Sequence, residues 1–308
     1  MAASPTAELV AVASASGASD DHDGARRIYR SYAALLEDPE VEAVYLPLPN
    51  GLHREWTERA AAAGKHVLCE KPLAPTAADA EAMAAACAGA GVILLEGYVT
   101  PFHPRAVAIE ELVRSGRLGP LRFARAAFTG VLGRPGDHRW RPEMGGGALL
   151  DVGIYCVAPV MQAAGRPPVR VAAAAVRTAA GVDSSLAGWL DFGDGFTATI
   201  ECSFEAPERQ CLEIVGTEAA VAVDRAHTPG PRDVALVLHH RNGRLEEILA
   251  GGVDPYQAMI EHFHAIVRGE ARPRRTPAEA VALLAVLDRL REAALIGPAR
   301  GREHPHRL

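Results

Sequence analysis

Short apolar runs alternate with helical segments through the first hundred residues, and this alternation is the strongest constraint on the fold. Four runs have the length and composition of buried strands: 8–14, 41–48, 65–69 and 92–96. Three segments between them have the composition of helices: 30–37, 52–63 and 76–89. Strands and helices that alternate in this way form a parallel sheet with helices on both faces. The sequence therefore predicts an α/β domain at the start of the chain.

The pattern changes after about residue 100. Helices are predicted at 104–115, 148–164, 256–268 and 276–295. Alternation of period two predicts strands at 121–129, 169–177, 185–192, 197–204, 211–215 and 219–223. The sequence Asp191-Phe192-Gly193-Asp194-Gly195 is typical of a hairpin turn. We expect this second part to be an α+β domain with a large open antiparallel sheet.

Charge and cysteine content exclude several classes of function. The net charge is −6 and the isoelectric point is near 6.1, and no basic cluster offers the phosphate contacts that nucleic acid requires. The five cysteines contain no Cys-x-x-Cys pair, which is typical of reduced thiols and not of a disulfide framework or a zinc site. No apolar stretch or leader is typical of a membrane span or a signal peptide. We expect a cytoplasmic protein without metal, nucleic-acid or membrane partners.

Lysine is rare in this chain, and one lysine follows a predicted strand. The 32 basic residues are 30 arginines and two lysines, Lys65 and Lys71. Lys71 lies in Glu70-Lys71-Pro72, and open α/β sheets bind ligands at the carboxyl ends of their strands. Lysine offers a compact charge on a flexible stem, which arginine does not. Composition alone is equally consistent with a functional role for Lys71 and with a chance occurrence of lysine at this position.

Asp151 and Tyr155 lie four residues apart on the predicted helix after Gly145-Gly146-Gly147, so both side chains share one face. A nearby lysine ammonium favours the phenolate of a tyrosine. Such a phenol can give a proton to a carbonyl oxygen or take one from an alcohol, and an aspartate beside it can orient a substrate hydroxyl. Taken alone, the pair is more often a buried tyrosine and an exposed aspartate.

Five motifs in order resemble the Gfo/Idh/MocA oxidoreductase family. They are 45–53 (YLPLPNGLH), 67–72 (VLCEKP), 102–104 (FHP), 140–142 (WRP) and 145–156 (GGGALLDVGIYC). The resemblance covers nearly the whole chain. Tyr155, where many members have histidine, favours the branch with glucose–fructose oxidoreductase and the dimeric dihydrodiol dehydrogenases. The resemblance implies a Rossmann-type dinucleotide-binding domain at 1–119, followed by a substrate-binding and dimerisation domain at 120–308.

The resemblance also implies roles for individual residues. Lys71 would contact the reacting oxygen and the nicotinamide ribose, Tyr155 would donate or accept the proton, and Asp151 would hold the substrate. The residues that it implies for cofactor binding are Ser14, Pro47, Pro49, Asn50, His53, Glu70, Lys71, Trp140 and Arg141. Ser14 and the branch favour NADP(H) over NAD(H). The roles of His103, Asp137 and His138 stay open, and His103 is equally suited to starting a helix before Pro104.

One element that the family implies is absent from the sequence. A nicotinamide enzyme of this fold opens with a strand, a Gly-x-Gly-x-x-Gly turn and a helix that hold the pyrophosphate. Residues 8–14 correspond instead to the second strand of the family, and 14–32 is shorter than the family pattern. Either Met1 is an internal methionine of a longer chain, which the intact catalytic motifs favour, or the protein is a cofactor-deficient relative. We expect the strands beside the absent one to be exposed.

Together these features predict a nicotinamide-dependent oxidoreductase that transfers a hydride to or from a carbinol carbon of a sugar-like or cyclic diol substrate. The alternative is a non-catalytic relative that binds a sugar-like ligand or a partner subunit. A homodimer or larger homo-oligomer is also expected, because a large apolar sheet face is rarely left in water.

Overall fold

The parallel strands predicted for the first part of the chain are present, and they lie in two separate sheets. The structure is a computed structural model that describes residues 4, 6–14, 24–134, 136–228 and 230–294. Its first five strands are β1 (Ala11–Ala13), β2 (Arg27–Tyr29), β3 (Ala43–Leu46), β4 (His66–Glu70) and β5 (Leu94–Gly97). Strand β1 pairs with β2, and β3, β4 and β5 form a three-stranded sheet, all in parallel. Among the described residues no strand joins β1 to β3.

Helices α1 (Tyr32–Leu36), α2 (His53–Ala62) and α3 (Ala77–Ala90) connect these strands. Side chains cap two of these helices: Ser31 Oγ accepts from Ala34 N at 3.4 Å, and Thr76 Oγ1 accepts from Asp79 N at 3.1 Å. After α2 the chain turns through Gly64, whose φ of +72° is readily adopted only by glycine. Helix α4 (Pro104–Arg114) leads into the second part of the chain.

The chain forms two compact units whose boundaries differ from the single predicted division between 119 and 120. The first unit comprises Met1–Ala108, Pro229–Val234 and Ala250–Leu284, and the second comprises Ile109–Thr228, Ala235–Leu249 and Ala285–Leu308. Helix α6 (Pro255–Val267) belongs to the first unit because its residues Met259 and Phe263 are buried in one cluster with Leu68 of β4 and Leu95 of β5. Sequence order alone does not reveal such a return of the chain.

The second unit contains an eight-stranded sheet with the order β13-β12-β11-β10-β6-β9-β8-β7. Its strands are β6 (Leu121–Val131), β7 (Arg170–Arg177), β8 (Asp183–Asp191), β9 (Thr197–Ser203), β10 (Glu205–Gly216), β11 (Ala219–Asp224), β12 (Val234–His240) and β13 (Leu245–Ala250). The sheet is mixed rather than wholly antiparallel, because β6 and β9 pair in parallel. A parallel pair requires a crossover connection, and the chain between these two strands supplies it.

A helical segment within that crossover covers the inner face of the sheet. It begins with a π-helical turn at Leu149–Gly153 and continues as α5 (Ile154–Ala164). The segment Pro142–Ala164 is long and apolar enough to cross a membrane by composition, but 61% of its most apolar window is buried. Burial against the sheet therefore accounts for its apolar composition. Helix α7 (Pro277–Ala293) completes the described chain, and its Leu290 is buried beside Gly188 of β8.

Candidate active site

Lys71 lies directly after β4, at the carboxyl end of the three-stranded sheet, and a neighbouring carboxylate holds its backbone. Tyr45 Oη donates to Glu70 Oε1 at 2.5 Å, and Glu70 Oε2 accepts from Lys71 N at 3.1 Å. Burial, followed by the charge of Glu70, raises the pKa of Tyr45, so its hydroxyl stays protonated and can donate. Strand β5 passes close by at Gly97, where a Cβ would lie 3.1 Å from Cys69 O. Glu70 therefore orients the lysine's main chain.

His53 has no accessible surface and bridges two loops of the first unit. Its Nδ1 lies 3.0 Å from Pro72 O and its Nε2 lies 2.8 Å from Leu48 O. Burial lowers the pKa of this imidazole. A side chain without accessible surface in a ligand-free structure cannot touch a cofactor without rearrangement. The cofactor-lining role of His53 stays a prediction, and in this structure the imidazole lies between the loop after β3 and the loop after β4.

The other cofactor residues predicted in the first unit lie at strand ends. Pro47 is exposed, whereas Pro49 and Asn50 are half-buried in the turn from β3 to α2, where Leu52 N donates to Pro49 O at 2.8 Å. Ser14 follows β1, and its N–H donates to Tyr29 O at 3.2 Å. Residues 15–23, where the sequence places the adenosine side, lie outside the described residues.

Tyr155 lies on α5 in the second unit and is only 8% exposed. Its ring meets Phe128 edge-on at a centroid distance of 5.6 Å, and His227 lies 6.1 Å away. His227 is buried, with Nε2 3.0 Å from Ala127 O, and Gln210 Oε1 accepts from its backbone N–H at 3.2 Å. Sequence reasoning missed His227 because it lies in a loop far along the chain, without a motif.

Asp151 is held by Arg139. Arg139 Nε lies 3.1 Å from Asp151 Oδ2, and Arg139 Nη1 lies 3.3 Å from Asp137 Oδ2. Asp137 Oδ1 also accepts from Arg139 N at 2.9 Å. Arg141, whose cofactor role stays a prediction, pairs with exposed Glu143 at 2.7 Å.

The glycines of the 145–156 motif are required by close approaches. A Cβ at Gly146 would lie 2.4 Å from Arg139 O, and one at Gly147, whose φ is +126°, would lie 2.2 Å from Asp183 Oδ1. Asp183 Oδ2 accepts from Leu149 N at 2.7 Å, so it caps the start of the helical segment. At Gly153 a Cβ would lie 3.0 Å from Cys202 Sγ of β9. These contacts fix the turn that carries Asp151.

Three further residues that the sequence singled out have structural partners. Trp140 packs edge-on against Phe204 at a centroid distance of 5.2 Å. His103 is buried and its Nδ1 accepts from Arg105 N at 3.1 Å, which confirms that it starts a helix. His138 Nδ1 lies 3.5 Å from Asp137 Oδ1. Within the described ranges, no three His, Cys, Asp or Glu side chains cluster as metal ligands do.

Two family models match the chain in consecutive segments. Residues 1–98 match the oxidoreductase family with the NAD-binding Rossmann fold, and residues 106–222 match the GFO/IDH/MocA C-terminal domain. Among curated relatives, D-xylose 1-dehydrogenase (NADP(+)) 2 of Haloferax volcanii is 35% identical over 280 residues, with 91% of this chain and 86% of the relative covered. A dTDP-3,4-didehydro-2,6-dideoxy-alpha-D-glucose 3-reductase of Streptomyces violaceoruber is 36% identical, with 95% and 90% covered.

Solved structures agree with these sequence matches. A 3-ketoreductase from Actinomadura kijaniata, in complex with NADP and TDP-benzene, superposes with a TM-score of 0.86 at 28% identity, covering 94% of this chain and 90% of that one. The identity over most of both chains, the two family models and the shared architecture lead to one assignment. The chain belongs to the Gfo/Idh/MocA oxidoreductases and is an NAD(P)-dependent enzyme of that family.

Proposed function

We propose that this protein transfers a hydride between NADP(H) and a carbinol or carbonyl carbon of a sugar-like substrate, with Lys71, Tyr155 and Asp151 as the residues that act on the substrate. The observation that carries the proposal is the loop after β4, which presents the half-buried Lys71 from a backbone held by Glu70. The relatives named as a xylose dehydrogenase and a sugar 3-reductase support a sugar-like substrate. The NADP in the related ketoreductase supports the cofactor preference.

The nicotinamide side of a cofactor site fits this structure better than the phosphate side. Pro47, Pro49 and Asn50 are accessible at the carboxyl end of β3, where open α/β sheets bind nucleotides. Residues 15–23, which follow β1, lie outside the described part of the chain. We therefore assign these three residues and Lys71 to the nicotinamide end, and Trp140 and Arg141 of the second unit stay proposals.

Each substrate-contacting residue has a chemical task. When bound, the nicotinamide takes up or supplies the hydride. As a substrate alcohol is oxidised, its hydroxyl proton passes to Tyr155, and in reduction the phenol returns a proton to the carbonyl oxygen. Lys71 donates a hydrogen bond to the same oxygen, which favours the negative charge that develops there. Asp151, held by Arg139, accepts from a second substrate hydroxyl and so orients the ring.

The test of the proposal is a titration followed by turnover. We expect NADPH fluorescence to report binding in the micromolar to millimolar range, and D-xylose or a related aldose to reduce NADP⁺ faster than NAD⁺. Equal rates with the two cofactors would contradict the preference. The absence of any binding at millimolar cofactor would remove the dehydrogenase assignment for this 308-residue chain.

The alternative that the sequence left open is a non-catalytic relative that binds a sugar-like ligand. It predicts that a sugar binds with the same affinity whether or not NADPH is present. Calorimetry of sugar binding with and without cofactor separates the two functions. A cofactor-dependent affinity supports the enzyme, whereas cofactor-independent binding without turnover supports the alternative.

We also propose a cytoplasmic homodimer that forms through the open face of the eight-stranded sheet. All five cysteines are free and four of them are buried, which suits a reducing compartment. On the open face, Phe123 is 61% exposed and Trp189 is 37% exposed. Between them Arg125 pairs with Glu201 at 3.2 Å, so this surface combines apolar groups with paired charges. Such a surface is typical of an interface between copies of one chain.

Light scattering on a sizing column tests the dimer. We expect the unaltered protein to elute with twice the 32.5 kDa chain mass, and Phe123→Asp with Trp189→Asp to shift it to the monomer mass. The matched control is Val107→Asp on α4, which is 41% exposed and belongs to the first unit, and which leaves the mass unchanged. A monomeric unaltered protein, or a dimer that survives both aspartates, excludes this interface.

A further inference from the structure

We propose that Glu96 and Arg275 form a buried pair of positioning residues for the loop that carries Lys71. The inference rests on the proposed role of Lys71 in the reaction. Neither residue belongs to a motif, and Arg275 comes from the connection between α6 and α7, far along the chain from Lys71. All three residues belong to the first unit.

Glu96 holds the loop from the neighbouring strand. It lies on β5 with only 2% of its side chain exposed, and its Oε1 accepts from Leu73 N at 2.9 Å. Leu73 is two residues beyond Lys71 and is itself fully buried. Without this carboxylate, the Leu73 N–H would be a buried donor without a partner, which is costly to the folded loop.

Arg275 forms an ion pair with the carboxylate of Glu96. Its Nη1 lies 3.1 Å from Glu96 Oε2, and 14% of its side chain is exposed. The guanidinium also lies over the ring of Tyr98, 5.0 Å from the centroid, where a cation is attracted to the ring face. Arg275 thus compensates the buried charge of Glu96 by an ion pair.

The pair completes a set of contacts to consecutive backbone groups. Glu70 accepts from the N–H of Lys71, His53 lies against the carbonyl of Pro72, and Glu96 accepts from the N–H of Leu73. Because contacts are made to the backbone of three successive residues, the Cα of Lys71, from which its side chain extends, is held in place. Small displacements of a catalytic group are costly, since a shift of about 1 Å can lower a rate about 100-fold.

Stability alone is a poor explanation for this arrangement. A buried ion pair is often no more stabilising than well-packed apolar residues of similar volume, because both charges lose their hydration. What an apolar pair cannot do is accept from Leu73 N. The feature that requires a hydrogen-bond acceptor at position 96 is therefore the bond to the lysine loop.

The experiment uses four variants of the full chain, Glu96→Gln, Glu96→Ala, Arg275→Lys and Arg275→Met, with Met83→Ala as the control. Met83 is a fully buried residue of α3, so its truncation lowers stability without touching the loop. For each protein, turnover is separated into kcat and the KM of the sugar, and amide exchange is followed for residues 70–75. The acylation rate of Lys71 is measured against Lys65, whose Nζ donates to Asp38 O at 2.9 Å and which serves as an internal reference.

We expect Glu96→Ala and Arg275→Met to lower kcat by about 10- to 100-fold, with the KM of the sugar changed less than about threefold. Exchange in 70–75 should accelerate at least tenfold, and the Lys71-to-Lys65 acylation ratio should change. Glu96→Gln keeps an acceptor for Leu73 N and should recover most of the loss, as should Arg275→Lys, because each keeps part of the pair.

The outcomes separate this inference from the proposed function. If the loop variants lose no more kcat and show no more exchange than Met83→Ala, the positioning role is excluded. If the unaltered protein neither binds NADPH nor turns over sugar, the proposed function fails, while exchange and acylation still test the pair. Glu96→Ala or Arg275→Met could fail to fold. The test then uses Glu96→Gln and Arg275→Lys, and unchanged exchange, acylation and turnover in both would contradict the positioning role.

Discussion

Replacing Lys71 by arginine is expected to lower kcat by at least about 100-fold, the range in which a positioned proton-transfer or charge-stabilising group contributes. The larger, planar guanidinium does not place a single compact donor where the ammonium does. The loop cannot shift to accommodate it, since Glu70 and His53 hold the backbone on either side. Steady-state turnover with the sugar and NADP⁺ measures the effect, and circular dichroism confirms that the variant is folded.

The matched control for this substitution is Lys65→Arg, which alters the only other lysine. Lys65 donates to Asp38 O and lies at the start of β4 rather than at its end. We expect the kcat of Lys65→Arg to stay within about twofold of that of the unaltered enzyme, because Lys65 takes no part in the proposed reaction. Full activity in Lys71→Arg would show that the special role assigned to lysine is wrong.

Replacing Gly147 by alanine is expected to lower the free energy of unfolding of the second unit by about 3 kcal/mol or more. Two penalties combine at this position. A φ of +126° strains any residue with a side chain, and the new Cβ would lie 2.2 Å from Asp183 Oδ1. To relieve the overlap, Asp183 must leave Leu149 N, which removes the cap of the segment with Asp151 and Tyr155. Urea denaturation measures the loss.

Gly89→Ala on α3 is the control for Gly147→Ala. Nothing lies within 4 Å of a Cβ at Gly89, and alanine is a better helix former than glycine by about 1 kcal/mol. The control is therefore expected to be neutral or slightly stabilising. A Gly147→Ala protein as stable as this control would mean that Asp183 moves aside without cost, and that the glycine is not required.

Much of the fold could be predicted from local pattern, and the failures have local reasons. Strand β2 has only three residues, too few for a periodic signal. Strand β13 inverts the usual alternation, because Leu245 and Leu249 are exposed while Glu246 is mostly covered and pairs with Arg117 at 2.6 Å. The direction of β9 relative to β6 is set by the crossover between them, which periodicity does not encode.

The candidate site was predictable where its residues lie in motifs and unpredictable where contacts are distant in sequence. Lys71 occupies the predicted strand end. Asp151 lies on the predicted segment, but its partner Arg139 required the structure. Arg275 meets Glu96 only because the chain returns to the first unit after the eight-stranded sheet. Supporting side chains such as Arg275 come from segments far along the chain, so no local sequence pattern predicts them.

The thin layer between the crossover helix and the inner sheet face has a consequence for anyone who wishes to redesign this enzyme. Gly153, Ala126 and Gly188 leave no spare volume there, and a methyl group at either glycine would meet Cys202 or Ile200 at 3.0 Å. A closely packed layer resists added bulk. Variation aimed at a new sugar therefore belongs outside this layer, in connecting residues that exclude Arg139, because Arg139 holds Asp151.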